Sequence, residues 1–306
     1  MITTLTLSPA FDIHVGITAF HTGRENLAET AARDVGGKGI NISRALTENG
    51  IPNTPVVLVG KENGTDFVNG LRTVGLDCRI LECEGRIREN ITVHPAEGEE
   101  TRLSFKGFSC SPDVLESVES LIGTGGIVTF TGSLPGGITP EAAENFLKRL
   151  CSKGVRVVID SKSISLATLR RIRPWLIKPN AEECEAYFGK MTEQQLYRTA
   201  AELHAEGIAN VMISLGPDGA ILAAEGKLFR ARVPKMEIRS TIGAGDSAIA
   251  GFIAMDTPPE ESLRRAVAYG SAACLREGTN PPLAGDIERI YRTVTVEEIR
   301  LGCDKR

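Results

Sequence analysis

Short apolar runs alternate along this chain with longer amphipathic stretches. Ile2-Thr3-Thr4-Leu5-Thr6-Leu7 opens as a strand, and Val56-Val57-Leu58-Val59, Ile127-Val128-Thr129-Phe130, residues 155–159, Trp175-Leu176-Ile177 and Val211-Met212-Ile213 read as further strands. Helical periodicity predicts helices over about 42–49, 66–74, 140–153, 200–206 and 259–277. Repeated strand–helix units imply a mostly parallel sheet covered by helices on both faces. Two strands near 220–224 and 227–233 turn around Glu225-Gly226 and read as a terminal hairpin, with helices dominating the remainder of the chain.

Strict alternation marks a second kind of strand. It puts Asp12, His14 and Gly16 on one face and Ile13, Val15 and Ile17 on the other. Residues 86–94 and 101–106 predict a hairpin whose polar face carries Arg86, Arg88, Asn90, Thr92 and His94, with Arg102, Ser104 and Lys106 on the partner. Two readings of that face stand: a solvated surface, or a flap that presents Arg88 and Arg102 to an anion. No repeat, low-complexity tract or linker interrupts the chain, so residues 1–306 are expected to form one domain carrying lid segments at about 12–34 and 86–108.

Composition narrows the function. With 42% hydrophobic and 24% charged residues the chain is foldable, and a formal net charge of −4 gives no electrostatic case for nucleic acid or an anionic membrane. No apolar run is long enough to span a bilayer, and the chain starts directly on a strand, so no leader peptide is expected. Seven scattered cysteines without a Cys-x-x-Cys pair and only four histidines argue against zinc and for reduced thiols, hence a cytoplasmic location.

The chemistry concentrates at Ser240-Thr241-Ile242-Gly243-Ala244-Gly245-Asp246-Ser247, a tight turn opening a helix. Unpaired N–H groups at a helix start favour an anion, which makes Asp246 an awkward neighbour unless a base is needed there. An anion nest beside a base is the minimum kit for phosphorylating an alcohol. A plain helix N-terminus, with Asp246 favourable to the dipole, is the other reading. A dinucleotide fold does not fit, because no second strand ends in an acidic residue about 20 positions on. Gly36-Gly37-Lys38-Gly39-Ile40-Asn41 forms another anion-friendly helix start and lacks the Walker spacing.

Taken together, these stretches closely resemble the PfkB-type sugar kinase family. Gly36 to Asn41 is similar to its N-terminal signature and Thr241 to Ser247 to its C-terminal one. Gly132-Ser133-Leu134-Pro135, Lys178-Pro179-Asn180-Ala181-Glu182-Glu183 and Ser214-Leu215-Gly216-Pro217-Asp218-Gly219 match in family order. The resemblance spans roughly residues 2–280. It implies a ribokinase-like three-layer α/β/α fold with a mostly parallel central sheet and a small β-sheet lid. Within the family, Thr6-Leu7-Ser8-Pro9-Ala10-Phe11-Asp12 and Arg88-Glu89-Asn90-Ile91 resemble the hexose-phosphate branch, 1-phosphofructokinases first. Tagatose-6-phosphate kinase and the PfkB-type 6-phosphofructokinase are the alternatives. Arg102, and Thr92 where lysine is common, bear on which sugar is taken. A non-catalytic sugar-phosphate or nucleotide sensor on the same fold is the alternative of a different class.

The resemblance also implies roles. Asp246 would be the base, and Gly243, Ala244 and Gly245 would offer N–H groups to the transferring phosphoryl. Asp12 and Asn41 would hold sugar hydroxyls. Gly36, Gly37, Lys38, Arg88, Arg102 and Ser133 would surround the sugar phosphate, with Arg24 a weaker candidate. Lys178, Asn180, Ser214, Gly216 and Gly219 would face ATP, and Asn180 with Glu183 would position Mg²⁺ through water. The expected reaction is ATP-dependent conversion of fructose 1-phosphate to fructose 1,6-bisphosphate. The lid is expected to close over the sugar and to pair with a second subunit through its apolar face.

Overall fold

The computed structural model describes residues 1–301, so Cys303 lies outside the described residues. Its first third contains β1 (Ile2–Thr6), β2 (Ala10–Ala19), β3 (Glu29–Gly36), α1 (Lys38–Glu48), β4 (Asn53–Gly60), α2 (Gly64–Thr73), β5 (Arg79–Cys83), β6 (Arg88–Glu97) and β7 (Thr101–Ser104). Next come α3 (Val114–Ser120), β8 (Ile127–Thr131), α4 (Pro140–Ser152), β9 (Arg156–Asp160), α5 (Leu166–Ile172), β10 (Leu176–Ile177), α6 (Ala181–Phe188) and α7 (Glu193–Ala205). The last third holds β11 (Asn210–Ser214), β12 (Ala220–Ala224), β13 (Lys227–Arg232), α8 (Ala244–Ile253), α9 (Pro259–Ala273), α10 (Ala284–Tyr291) and β14 (Thr295–Ile299).

The main sheet has ten strands in the order β14-β13-β12-β11-β10-β9-β8-β1-β4-β5. Strands from β11 to β5 run parallel, and β12, β13 and β14 are added antiparallel. Parity splits the core into two layers. Val157, Ile159, Ile177, Val211 and Ile213 join the cluster under α3, α4, α5 and α7. Val158, Leu176 and Met212 join the cluster under α1, α8, α9 and α10. A strand buried on both faces has no polar face to show, which is why these runs read as continuous hydrophobic stretches. The result is a three-layer α/β/α body.

Helix α4 shows how local sequence builds this body. Thr139 caps it by accepting from the Ala142 N–H at 3.1 Å, and Pro140 occupies the first helical position. Ala143, Phe146, Leu147 and Leu150 recur at helical spacing and are fully buried, with the Phe146 ring 6.3 Å from that of Phe130 on β8. Burying each of the larger side chains contributes roughly 1.5–3 kcal/mol. The two-residue β10 is short because Pro174 and Pro179 bracket it, and neither can donate to a ladder.

A second sheet, β3-β2-β6-β7, stands apart as the lid. Its central pair β2/β6 is parallel, and the outer pairs are antiparallel. Phe11 anchors its base edge-on against Phe67 of α2, ring centroids 5.0 Å apart. Strand β6 runs on through Pro95 paired with β2 alone, because β7 pairs only as far as Val93.

One expectation is corrected. The β12–β13 hairpin is not terminal, because β14 pairs with the outer side of β13. Thr295, Glu297 and Glu298 give this strand little hydrophobic signal. Its ladder to β13 and the packing of Val296 and Ile299 against the core hold it, and exposed charge pairs, Arg232 with Glu297 and Lys227 with Glu298 at 3.4 Å, are added at the edge.

Candidate active site

The parallel strands deliver their polar residues at their C-terminal ends, where open α/β sheets bind ligands. Residue Asp160 ends β9, Lys178 follows β10, Gly132 and Ser133 follow β8, and Ser214 ends β11. Two helices start among them: α1 at Lys38 and α8 at Ala244. Gly243 precedes α8 with φ of 76°, a left-handed conformation that favours glycine. The N-terminal turns of α1 and α8 are tied together, since the Asn41 amide donates to Asp246 Oδ2 at 2.9 Å.

Asp246 is 6% exposed. Burial pushes its carboxyl up to about 6 and the nearby Asp160 charge adds to the shift, against Lys38, the Asn41 hydrogen bond and Lys178. Asp160 behaves oppositely. Burial disfavours its charge, but Lys178 and Lys38 outweigh that and hold its carboxyl below the usual carboxylate range. The Lys38 and Lys178 ammonium groups stand 3.0 Å and 3.5 Å from Asp160 Oδ2. Lys38 is raised in turn: burial opposes its charge, while Asp160 and Asp246 more than compensate. Lys178 also reaches the start of α8, where a Cβ added at Gly245 would lie 3.1 Å from Nζ. Two buried carboxylates therefore share two lysines, with their affinities for protons driven apart.

The lid contributes the opposite wall. Asp12 Oδ1 accepts from Asn90 Nδ2 at 2.9 Å and from Arg102 Nη2 at 3.1 Å. These contacts follow the parity of β2, β6 and β7, in which Asp12 pairs with Asn90 and Thr92 with Arg102. Gly36 is packed so closely that a Cβ there would fall 2.1 Å from Asp12 Oδ2. Arg88 donates to the Ser8 carbonyl at 3.2 Å and to Ser133 Oγ at 3.4 Å. Asn41 Oδ1, Asn90 Oδ1 and Arg88 Nε are buried with no hydrogen-bond partner in the protein. Such orphaned polar atoms suit a polyhydroxylated, anionic ligand.

Asn180 and Glu183 form a reciprocal capping box on α6. Asn180 Oδ1 accepts from the Glu183 N–H at 2.7 Å, and Glu183 Oε2 accepts from the Asn180 N–H at 3.1 Å. Glu183 Oε1 faces Lys162 at 3.6 Å. Among the described residues no group of three His, Cys, Asp or Glu could hold a metal ion. Residues Ser214, Gly216 and Gly219 lie on the turn joining β11 to β12, next to Asn180 through an isolated bridge between Asn180 and Ser214.

The structure thus brings together Lys38, Asn41, Lys178, Gly245 and Asp246 around one carboxylate, Asp160, which motif reading left out. Its signal was available: an acidic residue closing the buried run Val157-Val158-Ile159 needs a cationic partner. Asp12, Gly36, Arg88, Arg102 and Ser133 form the lid-side group, joined by Asn90, which belonged to the polar face but not to the candidate set. Arg24 lies on the exposed 20–28 segment, bonded locally through its carbonyl to Asn26, and touches neither group.

The pfkB family carbohydrate kinase model matches residues 10–284. The 1-phosphofructokinase of Escherichia coli strain K12 is 33% identical over 303 residues, covering 94% of this chain and 97% of its own length. The 1-phosphofructokinase of Haemophilus influenzae is 34% identical over 259 residues, covering 82% and 83%. The crystal structure of phosphofructokinase-2 from Escherichia coli, solved with potassium, superposes with a TM-score of 0.88 at 29% identity, covering 95% and 98%.

Proposed function

Since the chain belongs to the pfkB family of carbohydrate kinases, and so is a phosphotransferase acting on a sugar phosphate with ATP, we propose that its acceptor is fructose 1-phosphate and its product fructose 1,6-bisphosphate. The observation that carries the chemistry is Asp246: buried, bonded to Asn41, titrating near 6 and set at the start of α8. A base with that affinity is mostly ionised at neutral pH yet still accepts a proton readily. Asp246 takes the proton of the attacking hydroxyl. The N–H groups of Gly243 and Gly245, with Lys38 and Lys178, stabilise the charge on the transferring phosphoryl, whereas the Ala244 N–H, expected to share in this, donates to the Thr241 carbonyl at 3.3 Å. Asp12 and Asn41 orient the sugar, while Arg88, Arg102 and Ser133 receive the phosphate it already carries. Residues 1–306 act as one catalytic unit whose lid excludes water.

Lys178, Asn180 and the Ser214–Gly219 turn form the nucleotide side. Mg²⁺ fits there through its water shell, because the capping box engages two of the three side-chain oxygens of Asn180 and Glu183, and Glu183 Oε1, facing Lys162, is the one outside it. When bound, the ion neutralises nucleotide phosphate charge. Leu103 and Phe105, 46% and 51% exposed on the lid, support pairing of two chains through that sheet. A cytoplasmic location belongs to this reading, since ATP and sugar phosphates are retained there. No helix among the described residues is long and apolar enough to cross a membrane.

Arg102 supports a second acceptor, fructose 6-phosphate, the ligand named in one phosphofructokinase-2 structure that this fold superposes on with a TM-score of 0.86. The test is ADP release with fructose 1-phosphate, fructose 6-phosphate, tagatose 6-phosphate and free sugars, with and without a chelator. The highest kcat/KM is expected for fructose 1-phosphate, with activity lost on chelation. Equal use of phosphorylated and free sugars would remove the phosphate pocket, and ATP binding without turnover on any sugar would favour a sensor.

A further inference from the structure

Arg230 is a guanidinium where the fold has room for an apolar side chain. It sits on β13 opposite Ile221 of β12, 2% exposed. Ile221 and Leu228 around it belong to the hydrophobic core. Burying a cation there costs several kcal/mol before its partners are counted. Those partners lie on α7, on the turn after β11, and on β12 and β13. Nε donates to Glu193 Oε1 at 2.6 Å at the start of α7, and Nη1 donates to the Asp218 carbonyl at 2.7 Å and to the Ala231 carbonyl. Asp218 closes the 3₁₀ turn Gly216–Asp218, whose ends are joined by Leu215 N–H donating to the Gly219 carbonyl at 2.8 Å. Gly219 lies directly over the guanidinium: a Cβ there would be 3.3 Å from Nη1 and 2.2 Å from the Ala231 carbonyl oxygen.

We propose that Arg230 is a positioning residue for the nucleotide. It braces the Ser214–Gly219 turn from beneath, so that the turn's backbone is held in its binding geometry before ATP arrives. The inference rests on the reading of that turn as the nucleotide side. A planar fork can hold a carboxylate with one nitrogen and carbonyls with another, whereas an ammonium in the same place satisfies only one of these directions well. Glu193 supplies the counter-charge and is itself kept ionised, its carboxyl lowered by hydrogen bonds from Tyr197 and Arg230. Preorganisation of this kind acts on affinity for one substrate and leaves the other untouched.

Two variants and one measurement on the unaltered protein test this. In the wild type, ATP should slow hydrogen exchange of the 215–219 amides. No slowing overturns the nucleotide reading of the turn and the inference with it. Arg230→Met, which removes both the charge and the fork, should raise KM for ATP and the calorimetric Kd of the nucleotide by about tenfold to a hundredfold. KM for the sugar phosphate should stay within about twofold, and the variant should stay folded at the assay temperature, because Glu193, 45% exposed, regains water when its partner is lost. Arg230→Lys should show a smaller rise in KM for ATP with the same selectivity. Slowed amide exchange in the wild type with wild-type nucleotide affinity in both variants overturns the role of Arg230 while leaving the turn's assignment intact. Equal rises in both KM values, or failure of both variants to fold, make Arg230 a structural residue and likewise overturn it.

Discussion

Replacing Asp246 with asparagine should make the protein more stable and nearly inactive, with a dependence on pH that identifies the cause. In the unfolded chain the carboxyl titrates near 3.8, and in the folded protein burial carries it up to about 6. Above both values the side chain is ionised in either state, so folding moves a charge into a site that disfavours it. That displacement corresponds to about 3 kcal/mol of lost stability. Below pH 3.8 both states are protonated and the cost disappears. The penalty therefore grows as pH rises from about 4 through 6 and is constant above about 7. Asparagine has nearly the same shape, carries no charge, and its amide oxygen still accepts from Asn41. Urea unfolding followed from about pH 5 to 8 should show the variant gaining on the wild type, by about 3 kcal/mol at the upper end. Its kcat should fall by about 10²–10⁴-fold, and the wild-type kcat/KM should lose activity on the acid side with a pKa near 6. A stability difference that does not change with pH would show that the carboxyl is not shifted. Full turnover in the variant would reject the base.

Two further substitutions separate the lid from the body. Gly36→Ala would place a methyl 2.1 Å from Asp12 Oδ2, forcing the carboxylate away from Asn90 and Arg102. KM for the sugar phosphate should rise about tenfold or more while KM for ATP holds, and unchanged sugar kinetics would dissociate Asp12 from binding. Thr139→Ala removes the cap of α4, a hydrogen bond that involves none of these groups, and should cost about 1 kcal/mol in urea unfolding with no change in turnover. A loss of activity at unchanged stability would mean that α4 matters to the site in some other way.

The features legible in the sequence are those that are local or periodic. The start of α8 is legible because its glycines and carboxylate are consecutive, and the lid contacts of Asp12 follow from two-residue alternation in β2, β6 and β7. The buried strands announce themselves by composition. Asp160 is legible only as a buried acid in need of a cation; its partners are not, because Lys38 and Lys178 are far apart in the chain and only the sheet brings them together. Strand β14 is not legible because only Val296 and Ile299 pack on the core, at a spacing that sets no apolar alternation. Asn180 and Glu183 carry an ambiguity that spacing cannot remove: an amide three residues before a carboxylate suits a helix cap and a hydrated cation equally well. The fold uses the pair as a cap, and any role toward an ion has to coexist with it.

The parallel pairing of β2 with β6 has a bearing on how the enzyme comes into being. Ala10 faces Arg88 in that register, and the chain between them must first lay down α1, β4, α2 and β5 on the body. Each half of the lid, β2–β3 and β6–β7, is a local antiparallel unit able to form early, but joining them closes a long loop and belongs among the slow, non-local steps of folding. Asp12 obtains Asn90 and Arg102 only when that step is complete. On a ribosome the lid strands, all before residue 105, emerge ahead of the Lys178 to Gly219 nucleotide side, so the sugar side can be assembled before the nucleotide side exists. Catalysis has to wait for both, and for the contact of Asn41 with Asp246, which lie 205 residues apart in the chain.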